Sequence, residues 1–84
     1  MMSRPVNWSY ETWPIAMLAV AVRHEIDDGK IAELVASLRR GKVLPPIFVL
    51  VDNGVVTILD GHHRVAAWVV AEVSFIPVLV GRPR

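Results

Sequence analysis

Asn53-Gly54 stands between two short apolar runs, Ile47 to Val51 and Val55 to Leu59. A two-residue turn of type I′ needs positive φ at both central positions, and Asn followed by Gly supplies this at little cost. The pair predicts a tight antiparallel β-hairpin and sets its register. Val51 then opposes Val56, Val49 opposes Ile58, and Phe48 opposes Leu59. Both faces of such a hairpin are apolar, so cover is expected on both sides. An isolated hairpin is marginal in water, so the rest of the chain must supply partner strands and helices.

Those partners are legible on either side. Ile31, Leu34, Val35 and Leu38 recur at i, i+3, i+4 and i+7, which is one helical face. Asp27 or Asp28 can cap its start, Arg39 and Arg40 suit the negative end of its dipole, and Gly41 suits the position after its last turn. Pro45 and Pro46 prevent continuation. Beyond the hairpin, Asp60 ends the strand, and Val65, Ala66, Trp68 and Val69 read as a second helix starting near Gly61. Val73 to Val80 reads as a strand whose Pro77 places it at a sheet edge. Tyr10 to Ile15 reads as a first strand, with Pro14 marking an edge or an end, and residues 1–9 read as a flexible arm. Ala16 to Val22 is too short and too apolar to separate strand from helix. The order β-α-β-β-α-β gives a single small α+β (α/β) domain over residues 1–84: a mixed sheet, a hairpin and two main helices.

Composition narrows the setting. There is no cysteine, which removes disulfides, thiol chemistry and cysteine-ligated zinc. Apolar residues make up 54% against 20% charged, and the mean hydropathy of +0.45 is high for so small a domain. A homodimer or a protein partner covering an apolar N-terminal surface around Trp8 and Trp13 would account for it. A membrane span does not, because the longest uncharged run, Trp13 to Val22, is well short of about 20 residues and holds Pro14. The N-terminus lacks the layout of a signal peptide, so a cytoplasmic protein is expected. Nine Lys plus Arg face eight Asp plus Glu with no basic block. DNA contact through Arg39, Arg40, Lys42 and the Arg82-Pro83-Arg84 tail is therefore expected to be weak and salt-dependent.

The segment richest in chemistry is Leu59-Asp60-Gly61-His62-His63-Arg64. It lies where a strand passes into a helix, and a helix start carries unpaired N–H groups and partial positive charge. Gly61 lets a ligand approach the backbone, His62 and His63 add donors, and Arg64 can grip a phosphate with two parallel hydrogen bonds. Of the two histidines, one is expected to point inward and the other into the pocket. Asp60 is either the cap of the helix or a functional carboxylate, holding Mg²⁺, a ribose or a nucleophile. Arg23-His24-Glu25 is either a solvated loop or the source of a base or metal ligand in Glu25. Lys42 reads as solvated, and Trp68, one turn beyond Arg64, reads as core.

From Ile15 to Val80 the pattern resembles the ParB/sulfiredoxin superfamily. The matching pieces are Ile31-Ala32-Glu33-Leu34 with Leu38, Gly41, Pro45-Pro46-Ile47, Ile58-Leu59-Asp60-Gly61-His62-His63-Arg64 and Ala66-Ala67. Partition proteins of the ParB type carry Gly-Glu-Arg-Arg where this chain has Gly61-His62-His63-Arg64. They bind CTP with Mg²⁺ and add a helix-turn-helix domain, for which no room is expected after Arg84. Sulfiredoxins carry a nucleophilic cysteine where His62 stands, so that chemistry is absent here. Free-serine kinases are similar in Asp60 to Arg64 and use an upstream glutamate, for which Glu25 is the candidate.

The resemblance implies a minimal nucleotide- or phosphate-binding domain taking ATP, ADP or CTP with Mg²⁺. Gly61, His62, His63 and Arg64 would hold phosphate, Asp60 the Mg²⁺, and Glu25 and Asp60 would serve catalysis. Any activity would be that of a Mg²⁺-dependent phosphotransferase or nucleotidase. The alternatives are a catalytically inactive protein-interaction module, such as a phage or mobile-element protein acting on a host factor, and a DNA-binding or nuclease domain.

Overall fold

The computed structural model describes residues 5–19, 21 and 26–84. Its elements are β1 (Val6–Pro14), α1 (Ala16–Ala19), α2 (Asp28–Arg39), β2 (Ile47–Asp52), β3 (Val55–Asp60), α3 (His62–Val70) and β4 (Phe75–Pro83). They form the expected small α+β domain, with one short extra helix in α1. The sheet order is β1-β4-β2-β3; β4 runs parallel to β2 and the outer pairs are antiparallel.

Local signals behave as the sequence predicts. Asp27 caps α2 by accepting from the N–H groups of Gly29 and Lys30. At the other end Gly41 has φ +81°, its N–H reaches the Leu38 carbonyl, and the Lys42 N–H reaches Ser37. That pair of bonds closes the helix with a left-handed residue. Asn53 and Gly54 both have positive φ, as a type I′ turn requires, and Val51 faces Val56 while Val49 faces Ile58.

Three expectations about the strands and their pairing are corrected. Residues 6–9 are not an arm but the first half of β1, paired with β4 out to Val6 opposite Pro83. Residues 1–4 lie outside the described residues. Second, β4 lies between β1 and β2 instead of at an edge. Pro77 is tolerated because β2 pairs only with Val78 to Gly81, so at Pro77 the strand has a neighbour on one side only. Third, Phe48 does not oppose Leu59. The register shifts there and Phe48 faces Asp60, which makes Leu59 the extra residue of a β-bulge.

The core lies on one face of the sheet. Ile47, Val49, Ile76, Val78 and Val80 are fully buried there against Val65 and Trp68 of α3 and Leu18 of α1. A four-residue helix has no stability of its own, so burial of Leu18, worth about 1.5–3 kcal/mol, holds α1 in place. Trp13 closes the same core from β1, and its indole N–H donates to Glu11 at 2.9 Å. Glu11 also accepts from both terminal nitrogens of Arg82. Chiefly through Arg82, then Trp13, its carboxyl pKa is lowered from 4.5 to about 2.

Among the described residues nothing covers the other face, against the expectation that the hairpin is enclosed on both sides. Trp8, Tyr10, Phe48 and Val55 are exposed there. Trp8 crosses the sheet from β1 over Gly81 of β4 and meets Phe48 of β2 edge to face, with ring centroids 5.9 Å apart. A Cβ on Gly81 would stand 2.9 Å from the Trp8 ring, so the glycine makes room for this crossing.

One residue is held against its preference. Glu72 follows the last turn of α3 with φ +59°, and the Val73 N–H closes onto the Trp68 carbonyl. A residue bearing a Cβ pays about 1–2 kcal/mol for that left-handed conformation, and glycine does not. Glu72→Gly should therefore raise the unfolding free energy by about 1 kcal/mol in urea titration, net of the entropy glycine adds to the unfolded chain. An unchanged or lowered midpoint would contradict the strain.

Candidate functional site

The bulge at Leu59 and the left-handed Gly61 together turn β3 into α3. Gly61 is the N-cap residue of α3, with φ +113° and no side chain to cap the helix. Asp60 therefore does not cap it, contrary to one reading of the sequence. The bulge sends the Asp60 side chain outward, where it is 73% exposed and lies 3.6 Å from Nη2 of Arg64. An ion pair that open contributes little to stability. The N-cap residue itself offers the first N–H groups of α3 no side-chain oxygen, and those groups carry the positive end of the helix dipole.

A pocket of about 490 Å³ opens at this point. Asp60, Gly61, His62, His63 and Arg64 all line it, so the sequence-predicted cluster is brought together around one concavity. Arg64 is oriented by a hydrogen bond from Nη2 to the Pro46 carbonyl at 3.2 Å. Both ring nitrogens of His62 are buried. His63 is turned toward α2, and its Nε2 accepts the Asp27 backbone N–H at 3.1 Å. An accepting Nε2 places the proton of the neutral ring on Nδ1.

Lys30 and Leu34 form the opposite wall, with Pro45. Lys30 was missed in the sequence, although it stands one turn before Leu34 on α2 and so shares its side of the helix. Lys42, read from the sequence as solvated, is exposed and lies outside the pocket. Trp68 is core, 3% exposed. Glu25 and its neighbours Arg23 and His24 lie outside the described residues. Among the described residues no three His, Asp or Glu side chains are grouped to hold a metal ion, and Asp60 is the one carboxylate lining the pocket. No helix among them is long and apolar enough to cross a membrane.

The sequence profile of the ParB N-terminal domain matches residues 10–83. Two solved structures share the fold. A sulfiredoxin from Arabidopsis thaliana superposes with a TM-score of 0.65 at 22% identity, over 86% of this chain and 83% of that one. A Pnob8-like ParB-N domain superposes with a TM-score of 0.60 at 15% identity, over 98% of this chain and 33% of that one. No curated protein matches the sequence.

The junction depends on Gly61 twice over. Its φ excludes ordinary side chains, and a Cβ there would stand 2.9 Å from the Ile47 Cβ and 3.1 Å from Nη2 of Arg64. Ile47 is fully buried and has nowhere to move. Gly61→Ala should cost about 2–4 kcal/mol, the sum of left-handed strain and overpacking. Chemical denaturation measures this directly; a loss below about 1 kcal/mol would mean that the junction relaxes around a side chain.

Proposed function

The chain belongs to the ParB N-terminal domain family, and on that premise we propose that it is a nucleotide-binding module that seats phosphate at the start of α3. The observation that carries this reading is the uncapped N-terminus of α3 opening into a pocket walled by Lys30 and Arg64. Backbone N–H groups, a residue without a Cβ and two cations are what a phosphate needs. The pocket volume falls in the range of small-molecule sites and exceeds what a lone anion requires. ATP, ADP and CTP are the candidate ligands. Mg²⁺ would be held by the phosphates themselves with Asp60 beside them. The proposal is one of binding: phosphoryl transfer also requires an aligned nucleophile and a base.

DNA binding agrees with family membership equally well. Its supports are the exposed Arg39, Arg40 and Lys42 at the end of α2. Arg82, by contrast, is engaged by Glu11 and Arg84 donates to Asn7, which leaves the basic tail less available.

Calorimetry of the folded chain with ATP, ADP, CTP and GTP, with and without Mg²⁺, and with duplex DNA at two salt concentrations, separates these readings. Heat with at least one nucleotide is expected, and Arg64→Ala should weaken it by about 1.5–3 kcal/mol, the scale of a charged hydrogen bond. Silence with every nucleotide at millimolar concentration rejects the nucleotide reading. Binding to DNA alone, steeply reduced by salt, installs the other.

A protein-interaction role is favoured by a separate observation, the uncovered sheet face. Trp8, Tyr10 and Phe48 offer aromatic surface there without an intervening Lys or Arg, so the face suits an apolar protein surface and not a phosphate backbone. The native chain should bind an apolar fluorescent dye, and Trp8→Ser combined with Tyr10→Ser should remove most of that signal. A native chain that binds no dye would show that the face is already covered in solution.

A further inference from the structure

Strand β1 is an outer strand, and its outward backbone groups can be assigned. Ile15 donates its N–H to the Ser74 carbonyl, and Arg84 donates its N–H to the Pro5 carbonyl. Each pair continues the β1–β4 register by one residue, at opposite ends. Bonded and non-bonded pairs alternate along an antiparallel ladder. The register is unbroken from Val6 to Pro14, so Asn7, Ser9, Glu11 and Trp13 bond to β4. Val6, Trp8, Tyr10 and Thr12 therefore turn their N–H and C=O groups outward. Among the described residues no strand pairs with that edge.

The two outer strands are built differently. β3 has six residues and is interrupted by the bulge at Leu59. β1 has nine, with no Lys or Arg, and its one charged residue, Glu11, is held by Arg82. Long, regular edges without free charge invite a further strand, and proteins ordinarily blunt them. Pro14, which has no N–H, ends the edge on one side. The residues with outward backbone groups also carry the aromatic side chains of the open face. Tyr10 begins a row that crosses the sheet through Leu79 of β4 to Phe48 of β2.

We propose that β1 accepts an added strand from a different protein, an extended segment that alternates apolar with small polar residues. This rests on the reading of the open face as a protein-interaction surface, and it states how the partner engages. In an antiparallel pairing the apolar residues stand opposite Trp8 and Tyr10 on the open face, and the polar residues stand opposite Ser9 and Glu11 on the other. Backbone bonds supply affinity, and the alternation of side chains sets the register. A second copy of this chain is the poorer occupant. Joining β1 to β1 through the same outward groups merges two four-stranded sheets with their open faces on one side. The aromatic surface is then doubled and still uncovered. A different protein brings, with its strand, a body to lie over Tyr10 and Phe48.

Amide hydrogen exchange followed by NMR tests this in two steps. In the native chain alone, Trp8, Tyr10 and Thr12 should exchange at least about tenfold faster than Ser9, Glu11 and Trp13. The probe is then an end-blocked peptide of about seven residues, enough to span Val6 to Thr12, alternating valine with threonine and flanked by lysine for solubility. At about 1 mM it should slow exchange at Trp8, Tyr10 and Thr12 by about threefold or more. The same peptide N-methylated at its valine amides, which face β1 in this pairing, should have no effect. Tyr10→Pro removes one outward donor and leaves the β4 ladder intact, so it should weaken the peptide by about fivefold beyond Tyr10→Ser, which removes the side chain alone. Slow exchange at every β1 amide of the native chain alone would mean that the edge is already covered, and overturns the proposal. So does a peptide that leaves these amides fast, or an N-methylated peptide that protects them equally. Where the native chain nevertheless binds the apolar dye, the face keeps its interaction role and only strand addition falls. The native-chain and methylated-peptide measurements decide the matter if Tyr10→Pro fails to fold.

Discussion

Ile47 occupies the space that a side chain at Gly61 would need, and this contact ties the sheet to the candidate site. Ile47 opens β2, is fully buried, and stands beside Val78 of β4. Gly61 can approach it only because it has no Cβ and because its backbone adopts φ +113°. Those two conditions bring the start of α3 down onto the start of β2. Val65 and Trp68 then reach the core, and the residues at the start of α3 line the pocket. The bulge at Leu59 serves the same junction. It inserts one residue, so that Asp60 turns outward while β3 keeps its apolar residues Val56 and Ile58 facing inward.

What was legible in the sequence was what a few neighbouring residues decide among themselves. Asn53-Gly54 fixed a turn because both positions tolerate positive φ. Asp27 and Gly41 bounded α2 because capping is local chemistry. The cluster from Asp60 to Arg64 was visible because polar residues interrupt apolar runs where the period changes. The misses share a different cause. Residues 6–9 became a strand through pairing with Val80 to Pro83, more than seventy positions away, and Pro77 sits inside the sheet because of where β2 happens to begin. Lys30 joined the site through the packing of α2 against α3, which no local window contains. The bulge depends on the fit between β2 and the α3 junction, and an alternating pattern does not announce it.

The high hydropathy divides into two parts. One part is a one-sided core, and two of the three tryptophans belong to it: Trp13 is 7% exposed and Trp68 is 3% exposed. Trp8 belongs to the other part. It is nearly half exposed and passes over Gly81 on the sheet face opposite the core that stabilises the domain. A sheet with helices on one face alone leaves the second face to whatever surrounds it. The apolar content of this chain therefore exceeds what its own fold buries, and its distribution shows where the excess lies.

Two helix N-termini converge at the candidate pocket, and they have been treated differently. The His63 ring reaches from α3 to the Asp27 N–H, and Lys30 in the first turn of α2 lines the same concavity as Gly61. Both helices bring positive dipole ends to one place, which favours an anion there. At α2 that demand is already met, because the Asp27 carboxylate accepts from Gly29 and Lys30. At α3 the capping position holds a glycine, which has no oxygen to offer. Of these two helix starts, α2 is capped by its N-cap side chain and α3 is not. The capped helix brings Lys30 and Leu34 to the pocket, and the uncapped helix brings Gly61 to Arg64. This asymmetry is written in two residues, Asp27 and Gly61, and it gives the pocket its polarity before any ligand is considered.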